Sequence, residues 1–244
     1  MKLARNPIID AIAEVRFTSA VPSDAIIGLV YEKVRSQFGA PEGLPILQLP
    51  AALREADPNL RYQHGHRFKM PGHSLLVGPR TIALSSYPYI DWPTAKGVFA
   101  QLLTQLTSAA LFERVERIGL RYINLFEDKL NIFEHSTMRI EIEGESIFNQ
   151  SITLRTERSL DDFLVVTQMS NHAIAEVQGQ KKSGSALDID VIKENPHVDS
   201  DDLPGSLIRL FDNANAVADK TFFGLLKQEL IDTYEPEGKD ESSI

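Results

Sequence analysis

The chain has no cysteine among its 244 residues. Disulfide bonds, thiolate metal sites and cysteine nucleophiles are therefore excluded. The N-terminus lacks an apolar core of signal-peptide length, and no apolar run approaches the roughly 18 residues that a membrane-spanning helix requires. These absences fit a reducing compartment, and we expect a cytoplasmic protein that does not enter the membrane.

Sequence motifs for common catalytic and phosphate-binding sites are also missing. Neither G-x-x-x-x-G-K-[ST], G-x-G-x-x-G nor G-x-S-x-G occurs, so P-loop, dinucleotide and serine-hydrolase sites have no support. Gly179 to Ser185 resembles a phosphate loop only in composition, and we expect it to be a hairpin loop between two strands. The sequence therefore predicts no cofactor and no catalytic residues, and it leans away from an enzyme.

Basic charge is scarce in the second half of the chain. The net charge is −9, and the balances are +3 for residues 1–130, −6 for residues 131–200 and −6 for residues 201–244. Affinity for nucleic acid depends largely on Lys and Arg side chains that displace counterions from phosphates. No aromatic-rich run of the RNA-recognition type is present either. Nucleic acid is therefore an unlikely partner.

Hydrophobic periodicity predicts an α+β protein whose residues 1–130 follow the order β-α-β-β-α-β. That order is typical of the ferredoxin-like, or split β-α-β, arrangement, in which the first and last strands lie side by side and antiparallel. A connection at 40–59 with three prolines is expected to be irregular, either a functional loop or a surface excursion. The expected strands span 8–17, 60–70, 74–87 and 115–127, and the expected helices span 24–38 and about 91–109.

In residues 131–236 the pattern changes to short segments in which apolar and polar residues alternate, and such segments are typical of an antiparallel meander. Helical spacing then continues from Leu207 through about Tyr234, and this predicts a helix of roughly 40 Å packed on the meander. The two halves either form separate domains or share one core. Residues 237–244 are acidic and polar, and we expect a disordered tail.

Charged residues on the first and last strands of the first half are predicted to share the face opposite the helices. Glu14 and Arg16 alternate with the buried residues of the first strand, and Arg117 and Arg121 do so on the last. Guanidinium groups on one face can hold a carboxylate or phosphate in bidentate fashion. The same arrangement also suits a cross-strand salt-bridge ladder or docking against the second half.

Two further groups of residues are candidates for ligand chemistry. Asp188 and Asp190 share one face of a strand, so they can bind a cation, act as an acid/base couple, or simply form the water-facing side of that strand. His64, His66 and His73 lie close in sequence but lack a clear set of four ligands. We therefore predict no metal site.

Several pieces of the chain together resemble a sporadically distributed, functionally uncharacterised family of prokaryotic proteins of about this length. They occur at Asn6–Ala11, Gly65–Phe68, Ile118–Asn124 and Leu187–Asp190, and a long terminal helix follows them. The I-G-L-R-Y-I-N piece is the most specific, whereas His66 stands where the family often has an aromatic residue. The resemblance implies no catalytic residues. Its patchy distribution is similar to that of toxin–antitoxin or phage-defence cassettes.

These observations lead to two hypotheses. The first is a non-enzymatic interaction protein, an accessory or antitoxin-like module that binds a protein partner or forms a homo-oligomer. The alternative is a binding protein or enzyme for a small anionic ligand, with a site between the two halves. In that alternative Arg16, Arg117 and Arg121 would hold the anion, Glu14 would lie beside them, and Asp188 or Asp190 would hold a cation or proton.

Overall fold

A computed structural model describes residues 3–127, 129–146, 151–177 and 179–235 and has an α+β architecture. Its main feature is a nine-stranded antiparallel sheet with the order β2-β3-β4-β5-β1-β6-β11-β10-β9, and β7 and β8 form a separate short hairpin. The strands are β1 Ile8–Thr18, β2 Glu42–Gly43, β3 His66–Met70, β4 His73–Gly78, β5 Thr81–Ser86, β6 Arg114–Phe126, β7 Glu141–Ile142, β8 Glu145–Ser146, β9 Thr153–Leu160, β10 Phe163–Val177 and β11 Gln180–Glu194.

The helices cover one face of this sheet. They are α1 Ser23–Val34, α2 Ala51–Ala56, α3 Trp92–Thr107, α4 Leu203–Leu225 and α5 Gln228–Asp232, with short 3-10 helices at Pro45–Gln48 and Ile132–His135. Among the long helices, α3 packs between α1 and α4, and α4 contacts β6 and β11. The long C-terminal helix predicted from the sequence is therefore present.

Capping residues fix where the two longest helices begin. The Asp91 carboxylate accepts a hydrogen bond from the Thr94 N–H, and the Asp202 carboxylate accepts one from the Gly205 N–H. Each helix also has a proline in its first turn, where the missing N–H costs nothing because that group has no intrahelical partner. These local signals place the start of α3 against the middle of α4.

A single core joins the two halves of the chain. The Phe211 ring of α4 packs edge-on against Phe99 of α3 at 5.1 Å and lies 6.3 Å from the Trp92 ring, measured between ring centroids. Strand β6 from the first half pairs with β11 from the second. Residues 1–130 and 131–236 therefore share a sheet and a core. The division of the chain at residue 130 remains a prediction.

Strands β1 and β6, the first and last of the first half, are adjacent and antiparallel. The neighbouring strands follow the order β6-β1-β5-β4, but β3 and β2 extend the sheet on one side and β11 continues it on the other. The first half is therefore part of a larger sheet rather than a free-standing unit, and its ferredoxin-like description remains an interpretation.

Several predicted boundaries were wrong. The strand expected from residue 60 begins at His66, and the expected loop from Gly179 to Ser185 belongs mostly to β11, because those residues pair with β10. Where short alternating segments were expected, residues Phe163–Val177 form the single long strand β10. Strand pairing overrode local composition in these places.

The long terminal helix is also shorter than predicted. It ends at Leu225 because Leu226 is extended and forms an isolated bridge with Ser136. The Lys227 N–H then donates to the His135 carbonyl at 2.8 Å before α5 begins. The tail predicted to be disordered, 237–244, lies outside the described residues.

The irregular connection predicted at 40–59 contains β2, a 3-10 helix and α2. Within the described ranges, no helix has both the length and the apolar character needed to cross a bilayer.

We expect Phe211→Ala to lower the free energy of unfolding by about 3–5 kcal/mol, because it removes a fully buried ring from the contact between α3 and α4. Urea unfolding should be followed by far-ultraviolet circular dichroism and by fluorescence of Trp92, the chain's single tryptophan. The exposed neighbour Asn213 offers a control, since Asn213→Ala should change stability by less than about 0.5 kcal/mol. If the two signals give separate transitions, the two halves do not share one cooperative core.

Candidate functional site

The structure brings together the charged residues predicted on the open face of the sheet. Glu14 and Arg16 come from β1, Arg117 and Arg121 from β6, and Asp188 and Asp190 from β11. These strands are neighbours in the sheet, and the alternation of side chains directs the named residues away from the helices. All six predicted site residues therefore lie on one surface.

Arg117 lies at the centre of this charged face and is mostly buried. Its Nη1 donates to Glu14 Oε1 at 2.6 Å and its Nη2 to Asp190 Oδ2 at 3.3 Å, while Nε lies 3.4 Å from Glu194 Oε1. A side chain at Gly119 would contact both Arg117 and Asp190. The bare backbone at Gly119 therefore leaves room for the guanidinium to reach from β6 to β11.

The other two arginines also have carboxylate partners. Arg16 Nε donates to Glu14 Oε1 at 2.8 Å and stacks over the Tyr62 ring at 4.7 Å from its centroid. Arg121 binds Asp188 through two nitrogens, with Nε to Oδ1 at 2.9 Å. Every arginine of the predicted anion site is thus paired, and the geometry is that of a cross-strand salt-bridge ladder. An anionic ligand would have to compete with these carboxylates.

Burial dominates the protonation of two acids on this face. It raises the pKa of Asp190, although Arg117 and Arg121 act in the opposite direction. It also raises the pKa of Asp10, whose carboxylate accepts a hydrogen bond from Ser85 Oγ at 2.8 Å. The two acids are therefore more easily protonated than they would be in water, even beside guanidinium groups.

The three histidines do not form a metal site. His64 Nε2 lies 3.3 Å from the Thr81 hydroxyl and 3.8 Å from Glu14 Oε2, and His73 Nδ1 lies 2.9 Å from the Ser86 hydroxyl. Burial lowers the pKa of all three imidazoles. In the part of the chain that the structure describes, no group of three or more His, Asp or Glu residues is arranged to hold a metal ion.

A cavity of about 300 Å³ lies on the opposite face, between the sheet and α4. Its walls come from the N-terminal segment, the loop that leads into α3, strands β6 and β11, and α4. The residues that line it are Leu3, Asn6, Pro7, Ile8, Tyr89, Ile90, Asp91, Trp92, Pro93, Tyr122, Asn124, Ile189, Asn215, Ala218, Asp219, Phe222 and Phe223. Both halves of the chain therefore contribute to one cavity, which is partly open to solvent.

The N-terminal segment is held in the cavity wall by backbone hydrogen bonds. The Pro7 carbonyl accepts from the Leu125 N–H at 2.9 Å, and the Asn6 side chain accepts from the Ile8 N–H at 3.0 Å. The first bond fixes the segment against the end of β6, and the second, to a side chain, lies within the segment itself. Three of the four sequence pieces that carry the family resemblance supply cavity residues: Asn6, Pro7 and Ile8 from the first, Tyr122 and Asn124 from the third, and Ile189 from the fourth.

The space under α4 results from the sizes of the side chains on its inner face. Phe211 packs on α3 near one end of this face, and Phe222 packs near Phe126 at the other. Ala218 lies between them at helical spacing and carries a short side chain. The two large rings hold the helix away from the sheet where the small residue cannot fill the gap.

Polar groups in the cavity form a short hydrogen-bonded chain. The Tyr89 hydroxyl donates to the Tyr122 hydroxyl at 3.4 Å, and Tyr122 donates to Asn215 Oδ1 at 2.7 Å. Burial raises the pKa of Tyr89 to about 12 and raises the pKa of Tyr122 well above its ordinary value. Both phenols therefore stay neutral near pH 7. Burial also raises the pKa of the Asp219 carboxyl.

Asn124 brings an acceptor without a partner to the cavity wall. Its side chain is 1% exposed, and its Nδ2 donates to the Leu187 carbonyl at 3.0 Å. Its Oδ1 is shielded from solvent and has no hydrogen-bond partner among the described residues. A buried acceptor left in this state costs about 1–3 kcal/mol.

Sequence reasoning missed this cavity, although one signal was present. Asn215 and Asp219 are polar residues one turn apart, and they lie beside the apolar stripe of the terminal helix. Polar side chains at that position, together with small alanines in the stripe, indicate incomplete packing. Tyr122 and Asn124 were assigned only to the buried side of a strand or to the resemblance.

A second cavity of about 190 Å³ lies between α1 and the excursion at 40–65. Basic side chains (Arg54, Arg61 and Arg80) and acidic ones (Asp24 and Glu55) both line it. Its mixed charge favours no single class of ligand.

Comparison of the chain with models of known protein families and with curated proteins gave no match. The resemblance carried by Asn6–Ala11, Gly65–Phe68, Ile118–Asn124 and Leu187–Asp190 therefore stays a prediction.

We expect Arg117→Ala to lower the free energy of unfolding by about 3 kcal/mol, because it leaves Glu14 and Asp190 partly buried without their main partner. Arg121→Ala is the matched control. Its side chain is 45% exposed, so the loss should stay below about 1 kcal/mol. Urea unfolding of both variants at low salt measures the difference. Equal losses would show that burial does not set the strength of these ion pairs.

As pH rises from about 3 to about 7, we expect the free energy of unfolding of the wild type to fall relative to that of Asp190→Asn. Burial raises the folded pKa of Asp190 above its ordinary value of 3.8, so the unfolded chain loses this proton first. Deprotonation therefore favours the unfolded state between the unfolded and the folded pKa. Urea unfolding across this range measures the difference. If the free energy of unfolding of the wild type instead rises relative to that of the variant, the attraction of Asp190 to Arg117 outweighs the effect of its burial.

Proposed function

We propose that this protein binds a small organic molecule in the cavity between the sheet and α4. The observation that carries the proposal is a cavity of about 300 Å³, partly open to solvent, with aromatic walls and a few polar groups. Ligand pockets in proteins commonly start near this volume and combine apolar walls with a small number of polar groups that orient the ligand.

The position of the cavity favours the alternative of a small-molecule site between the two halves. Tyr122 and Asn124 come from the first half, and Asn215 and Asp219 come from the second. A ligand here would touch the hydrogen-bonded chain that starts at Tyr89. The proposed site differs from the predicted one, which lay at Arg16, Arg117 and Arg121 on the other face of the sheet.

Among the described residues that line the cavity, the hydrogen-bonded groups are the two tyrosines and Asn215, and none of them forms an acid/base pair that would support a catalytic step. The tyrosines stay protonated near pH 7, because burial raises the pKa of both. The proposal is therefore for binding without chemistry.

We expect benzyl alcohol to bind the wild-type chain and to lose at least tenfold in affinity for Ala218→Leu, because the larger side chain occupies the cavity. Trp92 lines the cavity and is the chain's single tryptophan, so its fluorescence reports occupancy directly. The purification tag belongs at the C-terminus, since Leu3 lines the cavity.

Ala216→Leu is the matched control, because Ala216 is exposed on the same helix and should bind like the wild type. Apo melting temperatures confirm that both variants fold. Native mass spectrometry of the purified protein would show any molecule that co-purifies as an additional mass on the chain. If Ala218→Leu folds and binds as tightly as the wild type, the cavity is not the binding site.

The interaction or antitoxin-like role remains a prediction. It draws on the missing catalytic motifs and the acidic second half, and the described structure adds little to it. The exposed large apolar side chains belong to different elements, for example Tyr31 of α1, Leu53 of α2 and Ile174 of β10. The edge strand β9 carries Arg155, Glu157 and Arg158, and such charges discourage pairing with another sheet. A protein partner, a homo-oligomer and a cytoplasmic location likewise remain predictions.

We also infer that the first half derives from a ferredoxin-like arrangement. The strand order β6-β1-β5-β4, with α1 after β1 and α3 after β5, supports this reading. The strands β2 and β3 would then be additions at the edge.

A further inference from the structure

Charge on the cavity wall is compensated from within the protein. None of the described lining residues is Lys, Arg or His, and the carboxylates are those of Asp91 and Asp219. The Asp91 carboxylate accepts from the Thr94 N–H at 2.9 Å and lies at the positive end of the α3 dipole. Asp219 interacts with the chain's N-terminal amino group. The described wall therefore leaves no charge of either sign over for a ligand.

A charged ligand would lose hydration in the cavity without gaining a counter-charge. A carboxylate would meet no cation among the described lining residues, and an ammonium group would meet carboxylates that already have partners. Moving an unpaired ion out of water costs far more free energy than moving a neutral polar group. The cavity therefore favours an uncharged molecule.

The indole and phenol donors of the cavity wall already have acceptors within the protein. Trp92 Nε1 donates to Asp212 Oδ1 at 2.7 Å. The Tyr89 hydroxyl donates to the Tyr122 hydroxyl, which in turn donates to Asn215 Oδ1. A ligand that can only accept hydrogen bonds would therefore find these three donors in use.

The Tyr89 oxygen is the acceptor that this chain of hydroxyls leaves open. A phenol oxygen can accept as well as donate, and among the described hydrogen bonds no group donates to Tyr89. Tyr89 and Asn215 are only partly buried and both line the cavity, so a ligand can reach them. The amide nitrogen of Asn215 is a donor. A hydroxyl group, which donates and accepts, suits both side chains.

We propose that the ligand of this cavity is an uncharged alcohol or phenol built on an apolar ring. The ring packs among the side chains of Trp92, Phe222 and Phe223, and the hydroxyl donates to the Tyr89 oxygen. This inference rests on the proposed function, because it names the ligand class of the same cavity. It makes Tyr89 the residue that selects a hydroxyl, and it replaces the anionic ligand expected from the sequence with a neutral one.

Benzyl alcohol, benzyl methyl ether, benzylamine and benzoate are the probes, since they share a ring and differ in charge or in the hydroxyl. At neutral pH we expect benzyl alcohol to bind about fivefold more tightly than the ether, which has no donor. It should bind at least about tenfold more tightly than the charged amine or the charged acid. Trp92 fluorescence and isothermal titration calorimetry measure the four dissociation constants on the full chain with a C-terminal tag.

Tyr89→Phe removes the acceptor and keeps the ring. We expect it to weaken benzyl alcohol binding about fivefold and to leave the binding of the ether unchanged. Tyr31→Phe is the matched control, because it removes a phenol hydroxyl from α1, outside the lining residues, and should bind all four probes like the wild type. Apo melting temperatures confirm that both variants fold.

The outcomes separate this inference from the proposed function. If a charged probe binds as tightly as benzyl alcohol, and Ala218→Leu still weakens binding, the cavity binds small molecules but the preference for a neutral ligand is wrong. If Tyr89→Phe folds and changes the affinities for the alcohol and the ether equally, Tyr89 does not select the hydroxyl and the inference fails.

The wild-type ratio of affinities for the alcohol and the ether gives a second measurement that does not depend on the variant. A ratio near one would overturn the hydroxyl preference even if Tyr89→Phe does not fold. If none of the four probes binds the wild type, the proposed function fails together with the inference.

Discussion

The pairing of β6 with β1 on one side and β11 on the other is the constraint on which the rest of this structure depends. Strand β6 belongs to the first half of the chain and β11 to the second, so these backbone hydrogen bonds make the two halves one sheet. Because side chains alternate along a strand, the same residues also define two separate surfaces. Arg117 and Arg121 face one of them, and Tyr122 and Asn124 face the other.

The two surfaces differ in how completely their buried polar groups are paired. On the open face, Arg117 is surrounded by Glu14, Asp190 and Glu194, so its charge is fully compensated and the face works as a structural ladder. On the helix face, compensation is incomplete. The acceptor of Asn124 has no partner among the described residues, and a cavity remains under α4. An unfilled space with aromatic and polar walls is a stronger indication of ligand binding than a set of closed ion pairs.

Helix α4 completes the cavity because its inner face mixes large and small residues. Phe211 and Phe222 set the distance between the helix and the sheet, and Ala218 leaves the gap. Close packing is normal in protein interiors. Polar side chains border this gap, and one of them, Asn215, accepts a hydrogen bond from the Tyr122 hydroxyl. The cavity therefore combines a gap in the packing with polar groups that are held in place.

The sequence alone determined the α+β class, the main elements of the first half, the long helix near the C-terminus and the shared face of Glu14, Arg16, Arg117 and Arg121. These follow from periodicity and capping, which act over a few residues. It could not determine the length of β11 or the end of α4, since these depend on pairing with β10 and on the bridge between Leu226 and Ser136. Nor could it reveal the cavity, whose walls come from positions as distant as Asn6, Tyr122 and Asp219. Whether the arginines stay free to bind an anion was also decided only by tertiary structure, because the carboxylates that neutralise them lie on neighbouring strands, up to 103 residues away for Arg117 and Glu14.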